Sequence, residues 1–157
     1  MIKYLKIFLV IFLLITIYPK CFAQQRLFIN ALNNLSFGQV YIGYSKDLPH
    51  SDVNAAKISF YQSFGNRRTL LVNLSLPSNL VNGSNTIPLT FDLNHTAYSK
   101  TDQLSGRTLF NPYSTLSISN VNKNTPYYVW IGAILGAKSN IPSGTYTGTI
   151  IVTVALY

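Results

Sequence analysis

Apolar residues in this chain recur at every second position, in short runs separated by clusters of Asn, Gly, Ser and Pro. A period of two puts alternate side chains on opposite faces of an extended strand, so each run predicts a strand with one buried face. Ile58, Phe60 and Phe64 share a face, with Lys57, Ser59, Tyr61 and Ser63 opposite. Leu70, Val72, Leu74 and Leu76 oppose Thr69, Asn73 and Ser75, and Ile87, Leu89 and Phe91 alternate with Thr86, Pro88 and Thr90. Pro88 has no N–H to give to a ladder, so its strand is expected at a sheet edge or with a late start. In the last run Tyr146, Ile150, Val152, Val154 and Leu156 point one way, and Thr147, Thr149, Thr153 and Ala155 the other. Leu35 to Gly43 reads as a strand with a glycine bulge. Further strands are expected at about 26–33, 113–119 and 126–135.

No stretch after the first two dozen residues keeps a helical period. About eight short strands, with turn-forming clusters between them, describe an all-β two-sheet sandwich or a barrel. Irregular strand lengths and one long polar connection, 93–112, favour the sandwich. That connection is expected to hold a short helix or an extended surface loop. No internal repeat or linker divides the chain.

The opening residues carry a different signal. Lys3 and Lys6 precede an apolar run from Ile7 to Ile17, Pro19 breaks it, and Cys21-Phe22-Ala23 ends it on residues that a signal peptidase reads. The run is about eleven residues, short of the roughly twenty that span a bilayer. Residues 1–23 are therefore expected to be a cleaved signal peptide. Residues 24–157 form a single exported domain, secreted or held at the cell surface, with no membrane span after cleavage. The only cysteine, Cys21, lies in the signal, so no disulfide staples the domain and core packing must hold it. With 48% hydrophobic residues, eleven Tyr and nine Phe, the composition suits that.

Few groups in the domain are suited to catalysis. The chain has no Glu; its acids are Asp47, Asp52, Asp92 and Asp102, and its histidines are His50 and His95. Asp47 with His50, or Asp92 with His95, are the pairs that spacing offers for acid–base work. Both lie in polar, loop-like stretches without a nucleophile motif, and turn capping accounts for them. Neither a calcium-loop nor a zinc-ligand spacing occurs, nor a phosphate-binding glycine loop. The chain is expected to be non-enzymatic, with no catalytic residue, metal or cofactor. Beyond the signal, nine basic residues face four acidic ones, and only Arg67 and Arg68 adjoin. A basic chain whose charges are spread along it does not read as a nucleic-acid binder.

The two ends of the domain carry a family likeness. Leu35-Ser36-Phe37-Gly38-Gln39-Val40 resembles the opening motif of secreted bacterial domains allied to spore coat protein U and chaperone–usher pilins. Ile141-Pro142-Ser143-Gly144-Thr145-Tyr146-Thr147-Gly148-Thr149-Ile150-Ile151-Val152-Thr153-Val154 is similar to their closing pattern. The resemblance implies an immunoglobulin-like sandwich with a structural or fimbrial role. Many relatives have disulfides, and this domain departs from them in having none.

Strand edges are the expected means of assembly. The final strand runs to the end of the sequence with no later strand to cover it, and a bare edge invites another chain. The residues expected to mediate this are Leu27, Ile29 and Ala31 near the front, and Ile150, Val152, Val154 and Leu156 at the back. Partners are then other protein subunits, a further copy of this chain among them. The segment Gln24 to Leu32 either closes the sandwich as its first strand or is donated to a neighbour. An alternative role is a surface adhesin that stacks Tyr127, Tyr128 and Trp130 on polysaccharide. In that run consecutive residues face opposite sides, and core or cross-strand packing is the first use of such rings.

Overall fold

A computed structural model describes residues 26–157; the expected signal peptide lies outside the described residues. Twelve strands follow in order: β1 Leu27–Asn33, β2 Lys46–Leu48, β3 Ala56–Gln62, β4 Arg68–Ser75, β5 Asn79–Asn82, β6 Asn85–Thr90, β7 Thr96–Ser99, β8 Thr108–Leu109, β9 Leu116–Val121, β10 Tyr127–Ile131, β11 Ala133–Leu135 and β12 Ile151–Leu156. Among the described residues the one helical element is a 3₁₀ turn, Leu93–His95. The fold is all-β, antiparallel throughout and sandwich-like.

Three sheets form, ordered β1-β3-β10-β7-β8, β2-β11-β6-β5 and β12-β4-β9. The alternation foreseen in the sequence sets which face of each strand is buried. Phe60, Leu70, Val72, Val121, Val129 and Ile131 lie in a single core cluster to which all three sheets contribute. Each such side chain contributes about 1.5–3 kcal/mol when taken fully out of water. The β5–β6 hairpin turns at Gly83-Ser84, with Gly83 at a φ of 58° that glycine adopts without strain.

Gly132 separates β10 from β11 and carries the chain from the five-stranded to the four-stranded sheet. A Cβ there would lie 2.0 Å from the carbonyl oxygen of Leu48 and 2.7 Å from the carbonyl carbon of Pro49. Only glycine lets β2 cross so closely.

Three expectations are corrected. Leu35 to Gly43 forms no strand: Gly38 and Gly43 have φ values of 62° and 84°, and Tyr44 N closes a turn on the Tyr41 carbonyl, so the segment runs as a loop outside any ladder. The loop is held instead by Lys46 Nζ, which donates to the Phe37 carbonyl at 2.6 Å, and by Gly43 N, which donates to the Lys138 carbonyl at 3.1 Å. Pro88 sits in β6, an interior strand. Its carbonyl accepts from Gly136 N at 2.9 Å, one residue past the end of β11, so its missing donor faces a neighbour whose ladder has already stopped. The 93–112 connection holds the short helical turn expected of it, at Leu93–His95, but it is not otherwise a surface loop, because β7 pairs with both β10 and β8 inside the five-stranded sheet.

Candidate functional site

β1 and β12 each have a partner on one side only: β1 pairs with β3, and β12 with β4. Between their open edges lies a groove of about 950 Å³. Ile29 and Ala31 line it from β1, Ile150 and Val152 from the β12 side, with Ile58 and Phe37 among the other lining residues. β1 is well paired yet poorly covered. Six register pairs join it to β3, while Ile29 is 45% exposed and Leu32 51%. An inward-facing isoleucine on a paired strand stays that open only where the opposite layer is short of a strand.

Of the seven edge residues expected from the sequence, Ile29, Ala31, Ile150 and Val152 meet at the groove. Leu27, Val154 and Leu156 pack against the core cluster farther along the same strands. The alternation read from the last strand holds, since Val152, Val154 and Leu156 are half-buried while Ile151, Thr153 and Ala155 are exposed. Leu35, Phe37, Val40 and Ile42 also line the groove. Sequence reasoning placed them in a strand and so missed this role; the two glycines within the motif were the available signal.

The three aromatic residues proposed as a sugar platform part company. Tyr127 faces inward, 1% exposed, beside Phe60. Tyr128 and Trp130 share the outer face of the five-stranded sheet, with ring centroids 5.9 Å apart. Trp130 is only 3% exposed, because the Arg107 guanidinium lies over its ring at 3.7 Å. Tyr128 alone keeps a half-exposed ring, and Lys57 Nζ stands 5.7 Å from its centroid.

The titratable residues gather around His95, which is buried. Its Nδ1 meets Asp92 Oδ1 at 2.7 Å and its Nε2 meets Asp47 Oδ1 at 2.8 Å. Burial alone presses the His95 pKa down, but the hydrogen bonds and charges of Asp47 and Asp92 outweigh it and raise the pKa above 6.5. Burial likewise pushes Asp92 upward, and its bonds to His95 and to Asn94 N prevail, leaving it below 3.8. Both ring nitrogens are occupied, so neither is open to a substrate proton. Spacing pairs Asp92 with His95, as the structure does, but it pairs Asp47 with His50, whereas Asp47 reaches His95 from 48 positions away. His50 lies by Arg107, whose Nη1 donates to the His50 carbonyl at 2.6 Å. Burial, then the Arg107 charge, lower the His50 pKa.

Among the described residues no group of three or more His, Cys, Asp or Glu is placed to hold a metal ion, and no helix is long and apolar enough to cross a membrane. No protein-family model, curated protein or solved structure matches the chain.

Proposed function

We propose that this chain is an exported structural subunit of the cell surface that assembles by accepting an extended strand into the groove between β1 and β12. The observation that carries this reading is the groove itself, bounded by two strand edges that both lack a neighbour. The likeness of residues 35–40 and 141–154 to spore coat and pilin-type domains supports it, and with it an immunoglobulin-like sandwich short of one closing strand.

The occupant is a strand of another subunit with apolar residues at alternate positions. It adds four or five ladder hydrogen bonds at about 0.5–1.5 kcal/mol net each. Apolar side chains buried with it add roughly 1.5–3 kcal/mol apiece, so strand addition offers on the order of 10 kcal/mol before ordering costs. β1 pairs within its own sheet through Leu27 to Asn33, which favours its closing role over donation.

Light scattering across a dilution series of the purified protein tests the reading, with a peptide of residues 24–33 as the donor probe. Leu27, Ile29 and Ala31 give that peptide the required alternation. The expected result is self-association or peptide capture that Ala31→Lys and Val152→Lys each abolish. Ala31 is exposed, so Ala31→Lys should leave thermal stability within about 0.5 kcal/mol of the parent. A protein that stays monomeric at every concentration and ignores the peptide overturns the proposal.

A further inference from the structure

The basic residues, dispersed along the sequence, converge in the fold. Ser63 N donates to the Arg26 carbonyl at 2.9 Å, which brings the start of β1 to the β3–β4 turn. Lys123 N donates to Asn66 Oδ1 at 3.2 Å, and Arg68 is in register with Val121, which adds the β9–β10 turn. Lys100, just past β7, holds its Nζ 5.8 Å from the ring centroid of Tyr127 at the start of β10. Arg26, Arg67, Arg68, Lys100 and Lys123 thus sit at one end of the molecule, and all but the half-buried Arg68 are exposed.

The acidic side chains are elsewhere. Asp47 and Asp92 hold His95, Asp52 accepts from Asn54 N, and Asp102 pairs with Lys57. The other four cations beyond the signal are engaged: Lys46 on the Phe37 carbonyl, Lys57 on Asp102, Arg107 on the His50 carbonyl and Lys138 on the Thr86 carbonyl. Among the described residues, none of the five at the basic end forms a salt bridge with a carboxylate.

Apolar rings stand among these charges. Phe64, at the tip of the β3–β4 turn, is 38% exposed, and Tyr157, bonded to Thr69 in both directions, is 84% exposed. The tip is fixed from below. The buried Gln62 side chain accepts from Phe64 N and donates to the Gly65 carbonyl, both at 2.8 Å. Arg67 holds a φ of 57°, a conformation that a long side chain seldom adopts.

We propose that this end of the molecule is a docking surface for anionic lipid bilayers, with Phe64 entering the headgroup layer while Arg26, Arg67, Arg68, Lys100 and Lys123 meet lipid phosphates. Exposed aromatic residues ringed by cations match an interface that is apolar below and negatively charged above. A soluble polyanion is better met by charges along a face, whereas these surround a projecting turn. The inference is independent of the groove, which it does not use.

Co-sedimentation with phosphatidylcholine vesicles, with and without phosphatidylglycerol, tests it, and residues 1–25 are common to every arm. Binding is expected only with phosphatidylglycerol, and it should fall as salt screens the charges. Arg67→Gln with Lys123→Gln should weaken it about 25-fold, at about fivefold per charge. Phe64→Ser should weaken it by about tenfold, and Lys138→Gln should not change it. Phe64→Trp gives a local reporter whose emission moves to the blue on binding. Equal sedimentation with both vesicle types overturns the proposal. So does an unchanged affinity in Phe64→Ser together with equally tight binding to dextran sulfate, which would assign the surface to polymers.

Discussion

Replacing Gly132 with alanine is expected to lower stability by about 3 kcal/mol, or about 10 °C in melting temperature. A Cβ at this position meets backbone atoms of Leu48, Pro49 and His50 at 2.0, 2.7 and 3.0 Å. Backbone cannot rotate aside as a side-chain end can, so β2 must move as a unit or β10 and β11 must part. Either movement also strains the bond from Gly132 N to the His95 carbonyl, 2.7 Å long. Gly132→Val, with two more methyl groups, should not fold. Chemical denaturation followed by the emission of the single tryptophan, Trp130, measures the loss. A cost below about 1 kcal/mol would mean that β2 yields easily, and the crossing would not be a fixed point of the fold.

The second large effect is expected at His95. In mildly acidic solution His95→Gln should cost about 2–3 kcal/mol, since it removes two hydrogen bonds between a buried imidazolium and carboxylates. The figure sits below that of a fully buried ion pair because Asp47 and Asp92 remain in contact with water. The pH dependence has a definite sign. The folded pKa of His95 is raised, so its stabilisation is complete below the unfolded value of 6.5 and is lost as pH climbs through the folded value. Asp92 is lowered, so its share is present above 3.8 and disappears as pH falls through its folded value. His50 works against His95: with a lowered pKa, it withdraws stability as pH drops below 6.5. The informative quantity is the parent-minus-variant difference, in which the His50 contribution largely cancels. That difference should be greatest between 3.8 and 6.5 and shrink above. A flat difference across pH would show that His95 contributes packing alone.

Much of this architecture was legible in the residues, and the exceptions have physical reasons. β3, β4, β6 and β12 alternate in polarity, and each turns the assigned face inward, except that Phe64, read with Ile58 and Phe60, lies past the end of β3 and is exposed. β7 was not foreseen because Thr96-Ala97-Tyr98-Ser99 is short and its two faces differ little in polarity. Leu35 to Gly43 alternates well yet forms no strand, since pattern cannot report that two glycines take left-handed φ. The candidate site divides likewise. Its edge residues follow from the alternation along β1 and β12. The groove depends on which strands become neighbours, and local periodicity does not contain that. The basic end is invisible along the chain for the same reason: Arg26 and Lys100 are distant in sequence and come to the same end of the sheet only through the order β1-β3-β10-β7.

The described chain starts and finishes at the same end of the molecule, with Arg26 beside Ser63 and Tyr157 beside Thr69. Tension applied through those two points therefore pulls β1 and β12 sideways off their partners instead of sliding them lengthwise. Ladder bonds then break one after another, as in a zipper, and the resisting force stays low. A strand wedged between β1 and β12 would bond to either margin and add further ladders that must open, so single-molecule stretching should find that the filled domain takes more work to open than the empty one.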